Sequence, residues 1–312
     1  MQNKIVLLVY LYSLDRLCDL DLLCETNHHF DISLVVSLEH KNNALVTNFL
    51  HKYKDRIIYY DEQINYGVDI APFLKQLNLI DYKRYPYFIK LHSKQSKLGR
   101  LNHVDWGSIL WDSLIGNPKL FNYNLNIIKQ PNIGAITQPL LIYNNRELNN
   151  KQKISILCKH LNIDYSLLEN SRFMAGSMFI GKTDIFQNIL TTNKIQYIDT
   201  LLSTETGKVD DRNFENGTFC HSMERIFGYL VSSQNLRIHG SSLYPITKIY
   251  NKERRILHLH LTYNNIVYLV EDFNVCGQII SDNNNILNIE WYHLKNKIVK
   301  YKYLNNKQIT KI

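Results

Sequence analysis

The chain lacks most of the short signatures by which a function is read at sight. Its five cysteines, Cys18, Cys24, Cys158, Cys220 and Cys276, are odd in number and scattered, with no CxxC pair. That spacing argues against a zinc knuckle or a thioredoxin-like site and predicts the free thiols of a cytosolic protein. No window holds the roughly 18 apolar residues of a membrane-spanning helix. The apolar opening KIVLLVYLY is too short to span and carries no signal-peptide cleavage pattern. The expectation is a soluble, cytoplasmic protein without a transmembrane segment. No dense basic arm and no zinc-finger spacing is present, so nucleic acid is not the expected partner. Glycine (12) and proline (6) are scarce, while Asn, Ile, Lys and Tyr are over-used, as in NNRELNNKQK (144–153) and SDNNNILN (281–288). This reads as the codon bias of an AT-rich genome, so many surface Asn and Lys carry no functional message.

What is present is a globular composition. The 312 residues (36.8 kDa) are 45% hydrophobic and 21% charged, enough to bury a substantial core in one large domain or two. A formal charge of +8 and a pI near 9.0 point to an anionic partner: nucleic acid, a membrane surface or a phosphorylated small molecule. Because Lys and Arg are spread along the whole chain, this global basicity decides little.

Along the chain, apolar runs and helical periodicities alternate. IVLLVYLY (5–12), DISLVVSLEH (31–40), DRIIYYDE (55–62) and YFIKL (87–91) read as strands, the first two buried on both faces. Between them, 15–27, 44–53 and 70–80 read as helices. The alternation, about every 25 residues, predicts an α/β fold with a mostly parallel sheet flanked by helices. Further on, 106–116, 150–163 and 182–192 read as helices, the last with Thr183 as N-cap, and 132–143 reads as a strand. SRFMAGSMFIGK (171–182) reads as strand around a small-residue centre. FCHSMERIFGYLVSSQ (219–234) is a helix with Met223, Ile226, Phe227 and Leu230 on one face. After about residue 245, short apolar runs separated by Asn-, Asp- and Gly-rich turns predict an antiparallel meander. The expected division is a domain over 1–245 and a β-rich C-terminal extension over 246–312.

Three stretches carry chemistry. In NYGVDIAPF (65–73), Gly67 permits a tight turn and Asp69 opens a helix, where an acid either caps the helix or receives a ribose hydroxyl or base N–H. In YFIKLHSKQSKLGR (87–100), a strand discharges into Lys90, His92, Ser93, Lys94, Ser96, Lys97 and Arg100. That is either a solvated strand exit or a set of cations and donors for a diphosphate. In the third, Ala175, Gly176 and Ser177 allow close backbone approach. Glu224, with His221 one turn earlier and Arg225 beside it, is either a surface acid or a general base that binds an acceptor hydroxyl.

Taken in order, NxGxDIxPF, KLHSK-x-S, FMAGSMF and NGTFCHSMERIFG resemble the rhamnan synthesis protein F family, which is assigned to glycosyl transfer in cell-wall and lipopolysaccharide polysaccharides. The resemblance covers roughly residues 55–235. It implies a GT-A-like, Rossmann-type fold and transfer of a sugar from a UDP-, GDP- or dTDP-sugar donor to a glycan or glycoprotein acceptor, with inversion. On it, Tyr10, Tyr12, Asn65, Gly67, Asp69, Lys90, Ser93 and Lys94 are the expected donor side. Ala175, Gly176, Ser177, His221 and Arg225 are the expected acceptor side, with Glu224 and His92 catalytic. Tyr66 and Val68 stand where the family has arginines, and Glu215-Asn216 where it has an acid followed by glycine. Many GT-A enzymes hold a divalent metal on an Asp-x-Asp that Leu91-His92-Ser93 replaces here. Lys90, His92 and Lys94 are therefore expected to neutralise the diphosphate, with Asp210-Asp211 the fallback site for Mn2+ or Mg2+. Trp106 and Trp111 read as core. A non-catalytic glycan-binding or assembly protein on the same fold is the rival reading, and a nucleic-acid binder, drawn by charge and 21 tyrosines, is the remoter one.

Overall fold

The computed structural model describes residues 4–93, 106–116, 118–145, 150–205 and 217–241, with the backbone of the strands between 248 and 311. The chain forms two compact units, one of Met1–Lys94, Ile127–Ile136 and Ile142–His239, the other of Gln95–Asn126, Thr137–Leu141 and Gly240–Ile312.

The first unit is α/β. Strand β1 (Ile5–Leu11) is buried along its whole length, as the centre of a parallel sheet must be. The chain continues through α1 (Leu17–Thr26), β2 (Phe30–Ser37), α2 (Ala44–Lys52), β3 (Ile57–Gln63), α3 (Ile70–Leu79) and β4 (Tyr87–His92). Helices α4 (Trp106–Leu114) and α5 (Pro118–Ile128), which fall within the second unit but for the last residues of α5, precede β5 (Ile133–Thr137), β6 (Ile142–Asn144), α6 (Lys151–Leu161), α7 (Tyr165–Glu169), β7 (Arg172–Met174), β8 (Phe179–Lys182), α8 (Thr183–Gln187), α9 (Thr192–Ser203), α10 (Phe219–Ser232) and β9 (Arg237–Gly240). The central sheet has the order β3-β2-β1-β4-β8-β5-β9. The pairs β1–β2, β1–β4 and β2–β3 are parallel, while β8 runs antiparallel to β4 and β5. The mostly parallel Rossmann-like sheet expected from the alternation is present. A separate two-stranded sheet pairs β6 with β7.

Its core is an aromatic knot. Phe73 of α3, Phe88 of β4, Phe179 of β8, Phe186 of α8 and Phe227 of α10 lie with neighbouring ring centres 5.3 to 6.1 Å apart. Most meet tilted or edge-on, the arrangement the ring quadrupole favours. Helix α10 buries Met223, Ile226, Phe227 and Leu230, the face read from its periodicity. Gly228 lets α10 lie against β7: a Cβ there would sit 1.9 Å from the Arg172 carbonyl oxygen.

Two local expectations are corrected. The run 132–143 is not one strand, because Pro139 opens a 3-10 turn (Pro139–Leu141) between β5 and β6 and has no N–H for a ladder. The helix expected over 182–192 closes after Gln187, and Lys182, not Thr183, occupies its N-cap position. Thr183 is buried and its hydroxyl donates to the Tyr85 carbonyl (2.6 Å), which fixes the entry to β4 instead.

The second unit is built around an eight-stranded sheet: β10 (Lys248–Asn251), β11 (Arg254–Leu257), β12 (Leu259–Tyr263), β13 (Ile266–Glu271), β14 (Asn274–Asn283), β15 (Ile286–Trp291), β16 (Lys297–Asn305) and β17 (Gln308–Lys311). Its order is β11-β10-β17-β16-β15-β14-β13-β12, antiparallel except for β10–β17. This is the expected antiparallel meander. Strand β12 packs against α4 and against the 3-10 turn, so both belong to this unit. Trp111 of α4 is a core residue, as expected, whereas the side chain of Trp106 lies outside the described residues. Among the described residues no helix is long and apolar enough to cross a membrane.

Candidate functional site

From β1 the chain builds β2 and β3 on one side, then returns to lay β4 on the other. Strand order therefore reverses between β1 and β4, and in open α/β sheets ligands bind beyond the carboxyl ends of the strands at that reversal. Tyr10 and His92 stand opposite each other at those ends. Lys90, His92 and Ser93 at the end of β4 thus stand at the crevice where the topology expects a ligand.

Lys90 and His92, two apart on one strand, share a face. Both are buried and both turn toward Asp69 at the start of α3. The Lys90 ammonium pairs with the Asp69 carboxylate and donates to the Ser177 hydroxyl at 3.1 Å, while Ser177 itself donates to Asp69. His92 Nε2 lies 3.7 Å from the same Asp69 oxygen and 3.0 Å from the Gly176 carbonyl oxygen, and Nδ1 lies 3.2 Å from that of Ser93. Carbonyl oxygens only accept, so both contacts are satisfied together when His92 is the doubly protonated imidazolium. Within this trio Lys90 and Asp69 cancel, so any net charge is that of His92. Burial alone would raise the Asp69 carboxyl; the charges of His92 and Lys90 and the hydrogen bonds from Lys90 and Ser177 outweigh it and hold it well below the usual carboxylate range.

This network corrects two expectations. Lys90 does not stand as an open cation for a diphosphate, because a lysine at 1% exposure requires a carboxylate partner and Asp69 supplies it. Asp69, in turn, occupies the N-cap position of α3 without a side-chain capping bond. The first amides of that helix, Ile70 and Ala71, bond instead to the Gly67 carbonyl at 2.9 and 3.3 Å. Ser93 laces the two strand ends together: its N–H donates to the Tyr10 carbonyl (3.0 Å) and its hydroxyl accepts from Ser13 N–H (2.9 Å). Lys94, Ser96, Lys97, Arg100, Asp210-Asp211 and Glu215-Asn216 lie outside the described residues.

The other residues expected on the donor side follow β1 and β3. Tyr10 is buried, and its hydroxyl donates to Asn65 Oδ1 at 3.3 Å. Burial, and after it the Asp69 charge, push this phenol far above its ordinary range, so it is a neutral donor. Tyr12 is exposed, its carbonyl 2.9 Å from His40 Nε2. Gly67 (φ +62°) and Val68 (φ +51°) are both left-handed, a strained conformation for a β-branched residue and a mark of an over-determined turn.

The small-residue segment is a turn between β7 and β8. Ser177 N–H bonds to the Met174 carbonyl (3.1 Å), with Ala175 and Gly176 between them. Gly176 has φ +84°, the value a type II turn requires at its third residue and the reason glycine stands there. The turn joins the two halves of the site. Gly176 accepts from His92 through its carbonyl, and its N–H donates to Glu224 Oε1 at 2.6 Å. Glu224 is thereby tied to the turn rather than left as a free surface acid. His221 lies on the same helix, its Nδ1 3.0 Å from the Thr218 hydroxyl. Arg225 donates from Nη1 to the His221 carbonyl (2.9 Å) and covers the Phe173 ring at 4.9 Å.

Sequence reasoning missed Tyr143. It lies beside Phe173 across the β6–β7 pair (ring centres 5.8 Å apart), and burial, then the nearby Glu224 charge, push its phenol up to about 12. Nothing marked it, since it ends an apolar run as an ordinary strand residue does. It also missed Lys153 and Glu205. The Glu205 carboxylate accepts from the Phe219 N–H (2.9 Å) at the start of α10, and Lys153 bonds both Glu205 (2.6 Å) and the Gly217 carbonyl (2.8 Å).

Among the described residues no group of three or more His, Cys, Asp or Glu side chains is arranged to hold a metal ion. Oδ2 of Asp69 is already taken by an ammonium and a hydroxyl. Compared with models of protein families and with curated proteins, the chain gives no match.

Proposed function

We propose that the protein is a GT-A-like glycosyltransferase of the cytoplasm that moves a sugar from a nucleoside-diphosphate donor to a glycan or glycoprotein acceptor, with inversion. The observation that carries this reading is the suspension of Glu224 from the Gly176 amide, whose carbonyl meets His92 of the buried Lys90–Asp69–His92 cluster at the strand-order reversal. A donor lying across β1 and β4 would meet Tyr10, Tyr12 and Asn65 with its nucleoside and the edge of the His92 cluster with its diphosphate. Fixed positive charge there stabilises the leaving diphosphate as the glycosidic bond to it breaks. Glu224 takes the proton of the acceptor hydroxyl as that oxygen attacks the anomeric carbon.

Two observations favour a second reading, a glycan-binding or assembly protein without turnover. Lys90 is already neutralised by Asp69, and Tyr66, whose hydroxyl bonds Asp199 at 2.9 Å, stands where the resembled family has an arginine. A panel of UDP-, GDP- and dTDP-sugars, each with Mn2+ or Mg2+ and with EDTA, separates the two by thermal shift and release of free nucleotide. Stabilisation with slow hydrolysis of one donor supports the transferase and states its metal dependence. Stabilisation by glycans and by no donor selects the binding protein.

A further inference from the structure

Arg225 is a half-buried guanidinium whose donors are mostly unanswered. Arg56 shows what full satisfaction looks like in this fold: its Nε, Nη1 and Nη2 donate to the carbonyls of Phe30 (2.9 Å), Cys24 (2.7 Å) and Asn27 (2.8 Å). Lys90 and Lys153 each hold a carboxylate. Arg225 has one carbonyl, that of His221, on Nη1; its Nε is buried with no acceptor, and Nη2 has no partner among the described residues. Among the described residues no carboxylate forms an ion pair with it, Glu224 acting on it only at longer range. Its place is fixed from below by the Phe173 ring and along α10 by the His221 carbonyl, so the fork is held still as well as left open.

Leaving a partly buried cation in this state costs stability unless something else completes it. A planar guanidinium with free N–H groups is completed by a carboxylate or a phosphate, which it binds through two parallel hydrogen bonds. We propose that Arg225 binds an anionic group on the acceptor, the carboxylate of a sugar acid or a phosphate monoester, and so turns the acceptor hydroxyl toward Glu224. This rests on the reading of α10 as the acceptor side of a transferase. It explains why a cation stands beside the base: an anionic acceptor would otherwise be repelled by the Glu224 carboxylate. His221, one turn earlier on the same helix, offers a second donor to the same group.

The test is a titration of the full chain, labelled with 15N, with D-glucuronate, glucose 6-phosphate and D-glucose, following the backbone amides of 219–225. The expected result is saturable shifts with one or both anions and none with glucose at equal concentration. Arg225→Gln weakens the anion by about 10- to 100-fold, the worth of a charge-assisted pair, and Arg225→Lys falls between and carries the test if the Gln variant does not fold. The two anionic probes distinguish carboxylate from phosphate. Equal shifts with glucose, anion binding that survives Arg225→Gln, or no anion-induced shift on α10 would each overturn the proposal. Donor hydrolysis, measured on the same samples, reports separately on the transferase reading. Anion binding without hydrolysis retains the Arg225 site on a binding protein, and hydrolysis without anion preference removes only the Arg225 site.

Discussion

A buried lysine persists only where a carboxylate meets it, so Lys90 and Asp69 are best treated as one group. Asp69→Asn leaves the ammonium without a counter-ion and is expected to destabilise the fold by about 3–5 kcal/mol, the cost of breaking one side of a buried pair. Urea unfolding at neutral pH measures it. The pH dependence follows from the sign of the shift. Asp69 is held below its unfolded value, so its contribution is complete above about pH 4 and is lost as pH falls further. The wild-type chain should therefore lose stability between roughly pH 4 and pH 2 more steeply than the Asn variant. His92 has two routes at the same scale, by its own charge and through its neighbour. Its bond to the Gly176 carbonyl fixes the turn whose N–H holds Glu224. If it works only that way, His92→Leu lowers kcat by up to about 100-fold, the cost of a misplacement of about 1 Å. On a Glu224→Gln background the same change then costs almost nothing. Full additivity of the two losses, read from kcat for donor hydrolysis or transfer, would show instead that His92 touches the diphosphate itself.

At the scale of elements, what the sequence disclosed and what it withheld separate along a physical line. The apolar face of α10 and the doubly buried β1 and β2 were readable, because each is encoded by neighbours within a few positions, whereas 171–182 was read as one strand and its small residues in fact make the turn between β7 and β8. The partner of Lys90 was not, because Asp69 lies 21 residues away on another element and only folding brings them together. The break at Pro139 was present in the letters but was outweighed by the apolar run around it. The cap of α10 was hidden for the same reason as the Lys90 pair: Thr218 supplies the local bond to His221 N–H (3.2 Å), but the Phe219 amide is satisfied by Glu205, fourteen residues earlier. Glu205→Ala removes that acceptor and the ion pair with Lys153 together. The expected cost is about 1–2 kcal/mol, the upper range for a helix cap. Since α10 carries His221, Glu224 and Arg225, hydrogen exchange should quicken over 219–224 before it does so in β1. Uniform acceleration would mean that the clasp stabilises the whole unit rather than this helix end.

At the scale of the molecule, the change of texture near residue 245 invites a cut there, with the 1–245 fragment left as a free-standing domain. The fold argues against that cut. Strand β12 packs on α4 and on the 3-10 turn at Pro139–Leu141, and both belong to the same compact unit as the meander although they lie more than a hundred residues before it in the chain. In α4, Ile109, Leu110, Trp111 and Leu114 are all buried. Removing 246–312 would strip the sheet from that unit and expose apolar surface on α4, which favours association over a soluble monomer. The 1–245 fragment is therefore expected to aggregate, or to melt well below the full chain, and size-exclusion chromatography with a thermal melt decides it. A monomeric fragment with the melting temperature of the full chain would mean that α4 finds its cover within 1–245, and that the unit drawn from the whole molecule is not a unit of stability.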